Sequence, residues 1–214
     1  MRIRAKKPVP SEEVLANHRQ FLEREAHLRR FGYDSSAAIA FVLTQALPLD
    51  GSVLEIGTGK GRLLVELAKQ APAVTTVDIS PEEQQFARLN ARYAGVEDGI
   101  QFVLQDAARL PWPDRAFDAA VTMNAMHHIP RFQPVLDEML RVVKPGGKIV
   151  LADFSPRGFQ ILSRAHRSEG KTHERYHYDF RDLQKLLRDR GWTTRLRKGN
   201  LQEVLVSVRP PASR

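Results

Sequence analysis

Chemistry enters this sequence as acids set beside glycines. In Val53-Leu54-Glu55-Ile56-Gly57-Thr58-Gly59-Lys60-Gly61-Arg62-Leu63-Leu64, a short apolar run carries one carboxylate and is followed by three glycines in five positions. Glycine lets a backbone turn sharply and lets a ligand come close. The helical pattern resuming at Leu63, Leu64 and Leu67 then offers its first free N–H groups there. The spacing is G-x-G-x-G, unlike the G-x-G-x-x-G turn that receives a pyrophosphate. Glu55 therefore suits a ligand without phosphates and with a cationic amino-acid tail, from whose ammonium a carboxylate accepts directly or through water.

Two further acids follow strand-like runs. Asp78 ends Val74-Thr75-Thr76-Val77, roughly 20 residues past the glycines, where a carboxylate can accept from both hydroxyls of a ribose. Asp106 follows Ile100-Gln101-Phe102-Val103-Leu104-Gln105. One such acid reads as a helix cap or loop residue. Three, at Glu55, Asp78 and Asp106, line up at the carboxyl edge of parallel strands, where open α/β sheets bind ligands. His127 and His128 follow a fourth strand, Phe117 to Asn124, and titrate near neutral pH; either could take a proton from a nucleophile, or simply hold the loop. His173-Glu174-Arg175-Tyr176-His177 spells H-E-x-x-H, but its neighbours are polar and no histidine follows, so no metal site is expected.

The elements needed to position these groups can be read in order. Helical periodicity runs from Ser11 to Gly32, and again from a cap at Ser35 to Pro48. The two helices are expected to cover the substrate side, with Tyr33 and Phe31 at their junction facing it. Ser80-Pro81-Glu82-Glu83 starts a helix that ends near Gly95, Val135 to Val143 is another, and Lys144-Pro145-Gly146-Gly147 stops it before a fifth strand, Lys148 to Phe154. Residues 155–178 break this rhythm and read as an insertion or lid. There His173 and Tyr176 would receive a polar acceptor, with a plain surface connection the alternative. Asp179 caps a last helix, and Trp192 to Val208 forms a hairpin. The expected fold is α/β: a Rossmann-like three-layer sandwich with a mostly parallel seven-stranded sheet and a C-terminal antiparallel hairpin strand. It forms a single domain over 1–214, with a helical cap (1–48), a ligand-binding core (49–154), the insertion (155–178) and a closing helix and hairpin (179–214).

Composition narrows the chemistry. Hydrophobic residues make up 42% of 214, enough for one core, and no apolar run approaches a membrane span, so a cytoplasmic protein is expected. The absence of cysteine removes disulfides, thiolate metal sites and a cysteine nucleophile. The net charge of +8 is uneven: residues 51–154 hold 11 Lys and Arg against 13 Asp and Glu, residues 155–214 hold 14 against 6. Such a basic third could attract an anionic substrate, nucleic acid or an acidic partner, or be only a solvated surface.

With Glu55-x-Gly57-x-Gly59-x-Gly61, Asp78, Asp106, Leu110-Pro111-Trp112-Pro113, Phe117-Asp118 and Leu140-Arg141-x-x-Lys144-Pro145-Gly146-Gly147 in order, the chain resembles class I S-adenosylmethionine-dependent methyltransferases, particularly the small-molecule branch. The likeness covers roughly residues 50–154. It implies S-adenosylmethionine as cofactor and S-adenosylhomocysteine as its product form. Glu55, Gly57, Thr58, Gly59 and Gly61 would hold the methionine end, Asp78 the ribose, Asp106 and Ala107 the adenine, Asn124 would border the methionine, and Ile79 would be a further cofactor contact. Lys60 departs from the family's small or neutral residue and is expected to face solvent or the cofactor carboxylate. The expected partner is a small-molecule acceptor, for which the basic third suggests an anionic group. Asn124-Ala125-Met126-His127 lacks the Pro-Pro-aromatic run of base N-methylating enzymes, so nucleic acid is disfavoured while the basic third keeps it open. RNA or protein methylation and a non-catalytic cofactor-binding regulator are the competing readings, and the oligomeric state is open.

Overall fold

A computed structural model describes residues 10–170 and 175–212. Two helices come first, α1 (Glu12–Arg30) and α2 (Ser35–Ala46). Ser11 caps α1 by accepting from the Val14 N–H, and Glu12 and Glu13 favour its positive end. The cap of α2 is Asp34, not Ser35: the Asp34 carboxylate accepts from Ala37, while the Ser35 hydroxyl donates to Glu25 of α1.

The remaining elements are β1 (Ser52–Ile56), α3 (Arg62–Gln70), β2 (Ala73–Asp78), α4 (Pro81–Ala94), β3 (Ile100–Leu104), β4 (Phe117–Met123), α5 (Gln133–Val142), β5 (Val143–Phe154), α6 (Pro156–Ser168), α7 (Phe180–Asp189), β6 (Thr193–Lys198) and β7 (Gln202–Val208). The seven strands order as β3-β2-β1-β4-β5-β7-β6. The first five are parallel, whereas β7 runs antiparallel to both β5 and β6. One face carries Met139 of α5 and Leu187 of α7 in the core, the other Leu43 of α2 and Leu64 of α3. β1 and β4 are therefore covered on both faces, and their apolar runs follow from that.

Two expectations change. The insertion is mostly a 13-residue helix, α6, capped by Ser155, whose hydroxyl accepts from the Gly158 N–H, with Pro156 in its first turn. Its Ile161 and Ala165 pack with Leu28 and Tyr33, so α6 joins α1 and the start of α2 over the carboxyl ends of β4 and β5. The Lys144-Pro145-Gly146-Gly147 turn ends α5 as expected but lies inside β5, where its partner β4 shifts register between Phe117 and Ala119. Among the described residues no helix is long and apolar enough to cross a membrane.

Candidate cofactor cleft

A cleft of about 890 Å³ opens at the carboxyl ends of β1, β2 and β4. Its base is the glycine turn. Gly57, Gly59 and Gly61 all have positive φ, at 83°, 46° and 74°. A Cβ on Gly57 would lie 2.5 Å from that of Ala125, and one on Gly61 would lie 3.0 Å from Ala87, whereas Gly59 faces open space. Two of the three glycines thus permit close packing, and the third leaves room for a ligand.

Glu55 is 1% exposed and lines this cleft. Its carboxyl accepts from the Thr76 hydroxyl at 2.6 Å, and Thr76 is in turn 2.7 Å from the Thr58 hydroxyl. Burial pushes its pKa up to about 8, partly offset by the Thr76 bond and reinforced by Asp78. A buried acid with no cation beside it among the described residues is what an ammonium-bearing ligand would complete. Asp78 accepts one backbone N–H on each oxygen, from Gly59 at 2.8 Å and Ser80 at 2.9 Å. Those bonds fix its plane on the cleft wall and leave a lone pair on each oxygen for a diol. Asp106 is exposed and accepts from the Ala108 N–H; it and Ala107 border the same cleft, as does Ile79, which is 74% exposed.

Asn124, at φ 56°, holds the left-handed conformation that asparagine tolerates better than most residues. Its N–H donates to the Ala152 carbonyl, its side-chain amide donates to the Tyr33 hydroxyl at 3.2 Å, and its side-chain carbonyl is buried without a partner among the described residues. Tyr33 lines the cleft and also accepts from Gln202 at 3.2 Å. Burial pushes its pKa up to about 12, so the hydroxyl stays protonated at neutral pH and can donate.

The histidines separate. His128 is exposed and lines the cleft. His127 does not: it is 2% exposed, its Nδ1 lies 2.8 Å from Asp153 Oδ1, its N–H donates to Asp153 Oδ2 at 3.1 Å, and its ring packs on Phe154 and Phe159. The expectation that both histidines sit at the rim is corrected to His128 alone, with the His127 ring behind it, tilted by 40° at 4.1 Å between ring centroids. Tyr176 is described but lies outside the cleft lining, its N–H donating to the His127 carbonyl; His173 lies outside the described residues. Among the described residues no group of His, Asp and Glu could hold a metal.

Sequence reasoning missed Arg24, Ser35, Ile39, Arg62 and Arg131, which line the cleft too; His166, from the segment read as an insertion or lid, lines it as well. Arg24 and Arg62 sit on helix faces that no motif marks. Each is paired, Arg24 with Glu169 and Arg62 with Glu25 at 2.6 Å. Lys60 places its ammonium 5.3 Å over the Phe86 ring. Of the described residues beyond 154, only His166 lines the cleft. The rest of the described basic third lies outside the cleft.

Residues 54–151 match the methyltransferase-domain family. The chain is 36% identical to the 27-O-demethylrifamycin SV methyltransferase of Amycolatopsis mediterranei, over 60% of this chain and 50% of the relative. It is 35% identical to the demethylmenaquinone methyltransferase of Thermus thermophilus, over 49% and 47%. It spans about half or less of the length of the curated relatives it matches. Among solved structures, a SAM-dependent methyltransferase from Methanosarcina mazei superposes with TM-score 0.62 at 24% identity, covering 79% of this chain and 97% of that one. The [4+2]-cyclase SpnF superposes at 0.66 and 19%, covering 82% of each, so the likeness of fold alone does not choose the reaction. The glycine cradle, the acids Glu55 and Asp78 beside it and the match agree: residues 54–151 are similar to the methyltransferase domain of the class I S-adenosylmethionine-dependent type, and S-adenosylmethionine is the cofactor of that class.

Proposed function

We propose that the protein transfers a methyl group from S-adenosylmethionine to a small, uncharged organic acceptor. The observation that carries this reading is Glu55, a fully buried acid without a cation among the described residues, facing the same cleft as the Asp78 carboxylate. In this reading Glu55 receives the ammonium of the methionine end, Gly57 to Gly61 give the chain room, Asp78 takes the ribose diol, and Ile79, Asp106 and Ala107 border the adenine. The unpartnered Asn124 carbonyl accepts a further donor beside the methionine. Bound there, the sulfonium supplies an activated methyl with a neutral thioether as leaving group.

What the chain adds is alignment and dryness. The acceptor's proton passes to His128, the histidine on the cleft wall, while Tyr33, protonated at neutral pH, donates a hydrogen bond that orients the acceptor. Asp153 and His127 support the loop from behind. Paired Arg24 and Arg62 leave these walls with little net positive charge, which favours an uncharged acceptor.

The test is calorimetric titration of S-adenosylhomocysteine into wild type and Asp78→Ala, followed by transfer of labelled methyl to a panel of uncharged alcohols, phenols and amines. Binding that Asp78→Ala weakens, with turnover on some member, supports the reading. Wild type that fails to bind the nucleoside overturns it. Binding with turnover only on RNA or protein would move the acceptor class to those.

A further inference from the structure

A second cavity of about 670 Å³ lies beneath α1 and α2, and nothing in the cofactor reading uses it. Four helices wall it, with Phe21 of α1, Leu43 of α2, Val65 of α3 and Tyr93 of α4. Its mouth is apolar in a way surfaces seldom are. Leu22, Leu47 and Tyr93 are 52%, 40% and 42% exposed, three of the large apolar side chains exposed among the described residues, and all three border this cavity. The Tyr93 ring lies flat on His18, with centroids 3.5 Å apart, and extends the wall.

This cavity adjoins the cofactor cleft. Ser35, Ile39 and Arg62 line both. On α2, Ser35, Ile39 and Leu43 recur every fourth residue and so share one face, which Leu47 continues past the helix end. The strip is about 18 Å long at a helical rise of about 1.5 Å per residue. It starts at a hydroxyl beside the cofactor cleft and ends on exposed leucine. Charge at the neck is cancelled: Glu25 accepts from Arg62 at 2.6 Å and from the Ser35 hydroxyl. A charged chain would find no free counter-ion there, and an uncharged one would displace none.

We infer that the second cavity is the subsite for the apolar chain of an uncharged amphiphilic acceptor, whose polar end reaches the cofactor cleft past Ile39. The polar end's fate rests on the proposed methyl transfer; seating of the chain does not. Dodecanol is the probe, measured by displacement of Nile red, with Ala40→Trp and Val65→Trp filling the cavity from partly exposed positions. Dodecanol is expected to bind wild type and to bind each variant about tenfold more weakly or worse, with S-adenosylhomocysteine affinity unchanged in both. If either tryptophan unfolds the chain, phenylalanine at the same position repeats the measurement. Dodecanol that does not bind wild type, or binds both filled variants equally well, overturns the inference. Wild type that binds dodecanol but not S-adenosylhomocysteine fails the cofactor reading and not the cavity.

Discussion

The two ends of the sheet hold equally recognisable motifs and use them in opposite ways. At the amino ends of β4 and β5, polar groups are satisfied by one another. Asp118 accepts from the Ser52 N–H and hydroxyl and from Lys144 on both oxygens, at 2.8–2.9 Å. Burial opposes its charge, but these donors win and hold the carboxyl below its usual range. Nearby, Arg141 donates to Glu138, to Asp114 and to the carbonyls of Leu110 and Trp112, tying the loop before β4 to α5. At the carboxyl ends the polar groups are incomplete: Glu55 has one hydroxyl, and the Asn124 carbonyl has no partner among the described residues. Motifs whose bonds close on themselves hold the fold, and those left open await a ligand.

Breaking the closed end should give the largest effect. Arg141→Ala would leave Glu138 with only the Leu110 N–H and would orphan two backbone carbonyls, and we expect it to cost about 2–4 kcal/mol of stability, discounted because the guanidinium is partly exposed. Urea unfolding would show a lower midpoint at unchanged slope, while affinity for S-adenosylhomocysteine in the surviving folded protein stays as in wild type. A loss of affinity without a loss of stability would erase the distinction between the two ends.

Asp78→Ala attacks the open end. We expect a loss of about 2–3 kcal/mol in nucleoside binding, from removal of a carboxylate that accepts two hydroxyls. The change in stability should be smaller, since only the Gly59 and Ser80 N–H groups lose their acceptor and both lie near solvent. Equal losses in binding and in stability would make Asp78 a structural acid like Asp118.

Much of this was legible in the sequence because local rules governed it. Ser80-Pro81 announced α4, and glycine spacing with Glu55 marked the cleft. The same Ser-Pro signal stands at Ser155-Pro156, where α6 begins, but the arginines and polar residues after it masked a helix whose apolar face is only Phe159, Ile161, Leu162 and Ala165 wide. The arginines of the cleft walls, on α1 and α3, were not legible. Arg24 and Arg62 look like any solvated arginine until tertiary packing brings Glu169 and Glu25 to them. His127 and His128 are neighbours in sequence, and only the approach of Asp153 from β5 turns one inward and leaves the other on the wall.

Glu55 sharpens the contrast through pH. Its folded pKa, raised by burial to about 8, exceeds the unfolded value, so between about pH 4.5 and 8 the unfolded chain binds fewer protons than the folded one. Stability of the free protein should therefore fall as pH rises through that window and level off above it. An ammonium placed beside Glu55 favours the carboxylate, so nucleoside binding near neutral pH should release a proton. Calorimetry in two buffers of different ionisation enthalpy reads that release directly. Glu55→Gln should abolish it and flatten the pH dependence; release that persists in this variant would assign it to another group.

The smallest effect concerns the seam between the cap and the sheet. Tyr33 accepts from both Asn124 and Gln202, joining the α1–α2 junction to the ends of β4 and β7. Tyr33→Phe removes the acceptor but keeps the ring that packs on Phe154 at 5.3 Å. Asn124 borders the cleft and can turn its amide toward solvent there, whereas Gln202 is 1% exposed and cannot. We expect a stability loss of about 1–2 kcal/mol, the penalty for one buried amide left without an acceptor. Nucleoside affinity should change little. Once an acceptor is known, turnover should fall through KM more than kcat if Tyr33 orients the acceptor by its hydrogen bond. Wild-type kinetics with the same loss of stability would leave Tyr33 as a rivet of the closed kind, placed at the open end of the sheet.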